Sequence, residues 1–277
     1  MSGKLYIVGT PIGNLGDISE RALATLKECD FIAAEDTRVT LKLLNHFDIK
    51  KPLVSYHEHN KRERGAMVAD RILKGETCAL VSDAGMPCIS DPGTELVNTC
   101  IERGVPVLAV PGPSAVITAL AVSGLNVSRF TFEGFLSVNK SSRKKHLEEI
   151  KGEKRTMVFY EAPHKLPRTL KDLYETLGDR RIALVKELTK IYEQVERTTL
   201  AAAAEKYSQQ KPKGEFVLII EGREELKSET EPLSAEDAAE LARQYIEEGL
   251  SPTEAAKKAA KESGHKKNDI YRLLTSD

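Results

Sequence analysis

Between residues 4 and 125 short apolar runs alternate with helical patterns, and that alternation constrains the fold more than any other feature of the chain. Candidate strands are Leu5–Val8, Phe31–Ala34, Leu53–Ser55, Cys78–Val81 and Val105–Val110. Candidate helices are Ser19–Glu28, Thr40–Phe47, Lys61–Lys74, Thr94–Arg103 and Ser114–Val122. Such alternation calls for a parallel sheet with helices on both faces. Leu96, Val97, Cys100 and Ile101 fall at helical spacing and supply one buried stripe. In open sheets of this kind ligands bind outside the carboxyl ends of the strands, near the point where strand order reverses. The loops after the strands are therefore where chemistry is sought.

The loop after the fourth strand, Ser82 to Gly93, is longer than the roughly six residues typical of such connections. Asp83 stands at the strand end, Gly85 lets a ligand approach bare backbone, and Pro87 and Pro92 stiffen the turn. The first loop, Gly9 to Asp17, spaces its glycines G-x-x-x-G-x-x-G. That fails the dinucleotide fingerprint and lacks the lysine of a P-loop, so neither NAD nor ATP is indicated; simple chain reversal is the plain alternative. After the second strand come Glu35, Asp36 and Arg38, with Asp36 or Thr37 equally able to cap the next helix. His57 and His59 have no partner cluster nearby, so a polar turn is read there rather than a metal site. Val110 to Ser114 opens a small-residue helix whose free N–H groups suit an anion or carboxylate.

The rest of the chain divides the same way. Strands are expected at Phe130–Glu133, Thr156–Tyr160, Ile182–Lys186, Tyr192–Thr199 and Phe216–Ile220, with helices at about Ser142–Ile150, Leu166–Leu177 and Leu200–Tyr207. Tyr192–Thr199 follows Ile182–Lys186 too closely for a helical crossover, so this sheet must contain an antiparallel pair. A basic stretch with Lys140, Arg143, Lys144, Lys145, Lys151, Lys154 and Arg155 is either a solvated helix face or a phosphate contact. Residues 223–233 read as a polar linker, followed by three helices: Ser234 to about Glu248, one opened by the capping box Ser251-Pro252-Thr253-Glu254, and His265 to Leu274. The expected domains are 1–125, 126–224 and 225–277. A net charge of −1 over 277 residues excludes a global field drawing the chain to nucleic acid, so any basic surface is local. No apolar run approaches the roughly 20 residues that span a bilayer, and no signal peptide is visible. The four cysteines show no C-x-x-C spacing, which suits reduced thiols in a cytoplasmic protein.

Nine motifs occur in a fixed order: Gly9–Asp17, Ala34–Arg38, His57–Asn60, Ser82–Pro87, Ser90–Gly93, Pro111–Ser114, Phe132–Leu136, Glu187–Lys190 and Gly214–Phe216. Together they resemble the ribosomal RNA small subunit methyltransferase I family of the tetrapyrrole-methylase superfamily, over the whole chain. Met86 departs from the pattern, which more often has Thr there. The resemblance implies two α/β domains, the first sheet parallel and the second mixed, plus a small helical module. It implies S-adenosylmethionine (SAM) as cofactor, a homodimer, and methylation of a cytidine 2'-hydroxyl in the decoding region of 16S rRNA, free or in the small subunit. By superfamily analogy Pro11, Asp83, Ala84, Gly85, Met86, Ser114, Ala115, Tyr160 and Gly214 should contact SAM.

Methyl transfer from a sulfonium to a hydroxyl needs an in-line approach and a proton acceptor, and requires no metal. Candidate catalytic residues are Glu35, Asp36, Glu187 and Lys190, with Arg38 to hold a phosphate. Glu187 and Lys190 serve equally well as a structural ion pair. Two other functions compete: a tetrapyrrole methyltransferase of the same superfamily, against which the basic stretch and tail argue, and a non-catalytic RNA-binding protein.

Overall fold

The computed structural model describes residues 3–223 and 233–275. The chain forms two compact units, Met1–Arg223 and Glu224–Asp277. Most of the linker expected at 223–233 lies outside the described residues.

The first unit begins with β1 (Leu5–Val8), α1 (Glu20–Glu28), β2 (Phe31–Ala34), α2 (Thr37–His46), β3 (Leu53–Ser55), α3 (Lys61–Leu73), β4 (Cys78–Val81), α4 (Thr94–Glu102), β5 (Val107–Val110) and α5 (Ala115–Ser123). The strands order as β3-β2-β4-β1-β5, and every pairing is parallel. Side chains alternate across the sheet as strand geometry requires. Leu5, Ile7, Phe31, Ala33 and Leu80 pack on α3 and α4 through Val68, Ile72 and Leu96. Val8, Ile32, Ala34, Ala79 and Val81 pack on α1 and α2 through Ala22, Leu26 and Leu44. Each large side chain removed from water in this way contributes about 1.5–3 kcal/mol.

The unit continues with β6 (Phe130–Gly134), α6 (Lys140–Ile150), β7 (Thr156–Glu161), α7 (Leu166–Leu177), β8 (Arg181–Lys186), β9 (Gln194–Thr199), α8 (Leu200–Ser208) and β10 (Phe216–Ile220). This sheet orders as β6-β7-β10-β8-β9. It is mixed: β6 and β7 are parallel, and the other pairings, including the expected β8–β9 pair, are antiparallel. Leu147, Leu170, Leu173 and Leu200, from α6, α7 and α8, cover one face. The other face is covered by α5, whose Val116, Ala119 and Leu120 meet Val158, Val185, Val217 and Ile219. Arg197 of β9 also donates to the carbonyl of Ser123 at 3.0 Å, which ties the end of α5 to the second sheet.

Beyond small shifts such as β5 starting at Val107 rather than Val105, three local features differ from the sequence reading. Helix α2 starts at Thr37, not Thr40, because Asp36 Oδ1 accepts the Arg38 N–H at 2.8 Å and caps it. Strand β9 starts at Gln194, which leaves Ile191 and Tyr192 exposed in the preceding turn. Arg143 is not on a basic surface: it is buried, with Nε 2.6 Å from Asp172 and Nη2 donating to Thr169 Oγ1 at 2.9 Å. Its neighbours Lys145, Lys151 and Arg155 pair with Glu149, Glu148 and Glu153, as on a solvated helix face.

The second unit contains α9 (Ala235–Glu247), α10 (Pro252–Ser263) and α11 (Lys267–Leu274). Capping boxes at Ser234/Asp237 and Ser251/Glu254 start the first two, and Gly264, in the left-handed conformation, ends the second. Its core is small: Ala238, Ala242, Ala255, Ala256, Ala259 and Ile270. Lys257, Lys261, Lys266 and Lys267 are exposed, while the Lys258 ammonium lies 3.7 Å from the centre of the Tyr245 ring. Among the described residues no helix is long and apolar enough to cross a membrane.

Candidate active site

The chain leaves β1 toward β2 and leaves β4 toward β5 on the opposite side, so strand order reverses between these neighbours. A cavity of about 540 Å³ opens at that place. One wall comes from the ends of the parallel strands: Ile12, Glu35, Asp83 to Met86, Ile89 to Asp91, and Ser114 with Ala115. The other comes from the mixed sheet: Phe135, Tyr160 to Pro163, Val185, Leu188, and Glu215 to Val217.

Close backbone approaches fix the first wall. A Cβ on Gly112 would lie 2.8 Å from the Gly9 carbonyl oxygen, and one on Gly9 would lie 2.7 Å from Gly112 Cα. Only glycine lets the β1 and β5 loops meet so closely. Thr10 and Gly85 exchange backbone hydrogen bonds of 2.9 and 3.1 Å. Gly85 also lines the cavity, and its φ of +84° favours glycine. Ser114 and Ala115 line the cavity at the start of α5, and the Ser114 side chain makes no capping hydrogen bond to the helix's first N–H groups.

The wall is acidic. Burial pushes the Glu35, Asp83 and Asp91 carboxyls above their ordinary values, and neighbouring carboxylates add to this: Asp83 for Glu35, Asp36 for Asp83, and Glu35 with Asp83 for Asp91. Asp91 rises to about 6. Asp83 Oδ1 accepts the Asp36 N–H at 3.0 Å, and Glu35 Oε2 accepts the Asp83 N–H at 3.4 Å. Opposite them, Tyr160 sits edge-on between Phe132 and Phe135, with ring centres 5.0 and 5.5 Å away. Burial and the Asp91 charge raise its phenol. Glu161 is buried but satisfied: Oε1 accepts the Ala162 N–H at 2.8 Å and Oε2 accepts the Thr169 hydroxyl, which Arg143 holds from behind.

Of the residues singled out in the sequence, Glu35, Asp83, Ala84, Gly85, Met86, Ser114, Ala115 and Tyr160 meet at this cavity. Pro11 and Gly214 stand beside it, with their neighbours Ile12 and Glu215 in the wall. Asp36 and Arg38 form a two-point pair of 3.0 and 2.6 Å, which holds the Asp36 carboxyl down at about 2. Glu187, Lys190 and Glu215 form a clamp. Lys190 Nζ lies 3.1 Å from Glu187 and 2.7 Å from Glu215, and Glu187 also accepts the Glu215 N–H at 2.9 Å. Gly214 packs against it, since a Cβ there would lie 2.6 Å from Glu187 Cγ. His57 turns inward to its own helix start, Nε2 lying 3.2 Å from the Asn60 amide nitrogen. Sequence reading missed Asp91, Phe135 and Glu161 as wall residues. The first two lie within motifs it had noted, while Glu161 has no local signal.

A family model described as Tetrapyrrole (Corrin/Porphyrin) Methylases matches residues 4–204. The ribosomal RNA small subunit methyltransferase I of Halalkalibacterium halodurans is 50% identical over 273 residues, 98% of this chain and 94% of its own. The chain belongs to the ribosomal RNA small subunit methyltransferase I family. The Bacillus subtilis member is 45% identical, over 97% of this chain and 93% of its own. Solved structures extend the likeness of fold beyond this methyltransferase family. Diphthine synthase superposes with a TM-score of 0.61 at 15% identity, covering 79% of this chain and 90% of its own. Uroporphyrin-III-C-methyltransferase from Thermus thermophilus gives 0.57 at 19%, covering 79% and 94%.

Proposed function

We propose that this chain is a SAM-dependent methyltransferase of small-subunit rRNA that modifies the 2'-hydroxyl of a cytidine in the decoding region, acting in the cytoplasm. The observation that carries the proposal is the cavity itself, acidic on one wall and aromatic on the other, in a chain of this family. SAM carries a sulfonium and an ammonium, a carboxylate and a flat purine. The Glu35, Asp83 and Asp91 carboxylates suit its two cations. The open N–H groups at Ser114 and Ala115 suit its carboxylate, and Ile12, Met86, Phe135, Tyr160 and Leu188 suit its apolar surface. When bound, SAM supplies an electrophilic methyl group. The protein then has to hold the ribose in line with it, keep water out and accept one proton.

The remaining assignments are proposals of the same standing. Arg38, its guanidinium exposed beside Asp36, would meet an RNA phosphate. The Glu187–Lys190–Glu215 clamp would hold the second wall in place. The helical unit after residue 223, with Lys257, Lys261, Lys266 and Lys267 exposed, would add salt-dependent RNA affinity. A homodimer is supported by exposed apolar residues on edge strand β5 and on α5, Leu108 and Ile117; a scattering mass equal to one chain at micromolar concentration would count against it. The function is tested by mass spectrometry of rRNA digests from cells with and without the gene. A 2'-O-methylcytidine of the small subunit should vanish with the gene. A methyl group lost from a base ring, or no change, would overturn the reading.

A further inference from the structure

Between β8 and β9 the chain turns through residues 187–193, and a dense set of contacts holds that turn. The Lys190 N–H donates to the Glu187 carbonyl at 3.0 Å and the Glu193 N–H to the Lys190 carbonyl at 3.1 Å. The Thr189 N–H donates to Glu193 Oε2 at 2.6 Å. Glu187 and Thr189 sit in the left-handed region, at φ +52° and +65°, which non-glycine residues keep only where the surroundings enforce it. The Lys190 clamp fixes the turn to Glu215 at the start of β10. The first loop closes on it as well: a Cβ on Gly13 would lie 2.7 Å from Lys190 Cγ and 2.8 Å from Thr189 Oγ1. Leu188, within the turn, lines the cavity. At the tip Ile191 and Tyr192 are 95% and 75% exposed. Among the described residues no large apolar side chain is as exposed as Ile191, and no aromatic as exposed as Tyr192. The frame is rigid, yet what it displays to solvent is an aliphatic and an aromatic side chain.

The surroundings are basic. Lys186 ends β8 just before the turn, and Lys211 and Lys213 are exposed in the loop that leads through Gly214 into β10. Gly214 packs on Glu187, so this loop lies against the turn. None of these three lysines forms a salt bridge with a described residue. The acids nearby are already engaged: Glu187 and Glu215 by Lys190, Glu193 by the Thr189 N–H, and Glu196 by Lys206 and the Tyr207 hydroxyl. An exposed aromatic ring among unpaired lysines, at the rim of a cavity, has the make-up of a platform for single-stranded nucleic acid. Two copies of the chain meeting here would bring like charges together.

We infer that Tyr192 is a stacking platform for an unpaired nucleobase of the RNA substrate, next to the nucleotide that is methylated. Ile191 extends the apolar surface, and Lys186, Lys211 and Lys213 meet the backbone phosphates. The inference rests on the proposed function and deepens it. A cavity of about 540 Å³, shared with SAM, admits a nucleoside and not a duplex. The ribose therefore enters from a strand drawn out of its helix, and the neighbouring base loses a face it was stacked on. An aromatic ring at the rim restores that face. Because the turn is rigid, the ring is in place before the RNA arrives, and little conformational freedom is lost on binding. Tyr192 is a positioning residue and takes no part in bond making.

The test uses the full-length protein, SAM labelled in its methyl group, and small ribosomal subunits from cells lacking the gene. If the wild-type protein transfers no label, the proposed function fails, separately from this inference. Given wild-type transfer, Tyr192→Ala should raise KM for the subunits about 10-fold. Its kcat and SAM affinity should stay within about threefold of wild type. Tyr192→Phe keeps the ring and should return KM to within about twofold. Lys211→Gln combined with Lys213→Gln should flatten the dependence of KM on salt, whereas Tyr192→Ala should not, since a ring displaces no counterions. A Tyr192→Ala KM within about twofold of wild type would overturn the assignment, as would a loss that Tyr192→Phe fails to rescue. A scattering mass that halves in Tyr192→Ala would overturn it too, by making the turn a contact between copies. An unchanged salt slope in the lysine variant would overturn the phosphate contacts.

Discussion

The contact of Gly9 with Gly112 joins the two loops that carry Ile12 and Ser114 to the cavity, and adding one methyl group to it is a sharp perturbation. In Gly112→Ala the new Cβ would lie 2.8 Å from the Gly9 oxygen and 2.9 Å from Gly9 C and Cα. Carbon contacts are favourable from about 3.5 Å, so the two loops must separate by about 0.6 Å. Backbone stands on both sides, and no rotamer can yield. Overpacking costs about 1–3 kcal/mol, and this case belongs in the upper half of that range. For a unit of this size each kcal/mol lowers Tm by about 2–4 °C, which gives a fall of about 4–12 °C. The shift also reaches Ile12 and Ser114, a few residues along each loop, so SAM affinity should fall with stability. Gly152→Ala serves as the control, because its Cβ meets nothing within 4 Å. Thermal melts and SAM calorimetry on both variants check the reasoning. A Gly112→Ala protein that melts within about 1 °C of wild type and binds SAM equally well would refute it.

Arg143→Met should lower stability by about 2–3 kcal/mol in urea titration, less than a fully buried pair would lose, because Asp172 is part-exposed and Arg168 lies 3.7 Å from it. The same variant should keep the wild-type salt dependence of activity on ribosomal subunits; a flattened slope would restore Arg143 as a phosphate contact. Stability should also fall as pH rises from about 4 through about 6. The folded protein holds a proton on Asp91 that the unfolded chain, near the ordinary 3.8, has already released. Urea midpoints of Asp91→Asn should lose part of that dependence, and an unchanged slope would contradict the burial argument. Deleting residues 224–277 should leave SAM affinity intact and flatten the salt dependence of methylation. A truncated protein that is less stable but has an unchanged salt profile would assign the unit a packing role.

The first sheet was legible because each strand is a short apolar run bounded by polar or glycine-rich turns, and parallel burial makes such runs continuous. Asp83, Gly85 and the start of α5 were singled out because in that architecture function collects after strand ends; Ala84, Met86 and Ala115 came from the family resemblance. Of the second wall only Tyr160 was singled out, with Gly214 beside it, and both came from the family resemblance rather than from the strand pattern. Val185, Phe216 and Val217 look like core in any strand pattern, and only the packing of one sheet against the other makes them line a cavity. Arg143 misled because its basic neighbours suggested a surface, whereas Asp172 and Thr169, on a later helix, draw it inward. Asp91 lay within a conspicuous motif, but charge alone could not separate it from Asp83 or Glu35.

Helix α5 follows the last strand of the first sheet, yet its apolar face packs chiefly against strands of the second, β7, β8 and β10 above all. A chain emerging from the ribosome can complete the first sheet long before Phe216–Ile220 exists. Until then Val116, Ala119 and Leu120 lack part of their cover, since Val217 and Ile219 lie on β10, and the first half of the molecule carries an adhesive helix. The nascent chain is therefore expected to be prone to association until β10 is made. Fragments cut after residue 125 should be insoluble apart and should recover when made together.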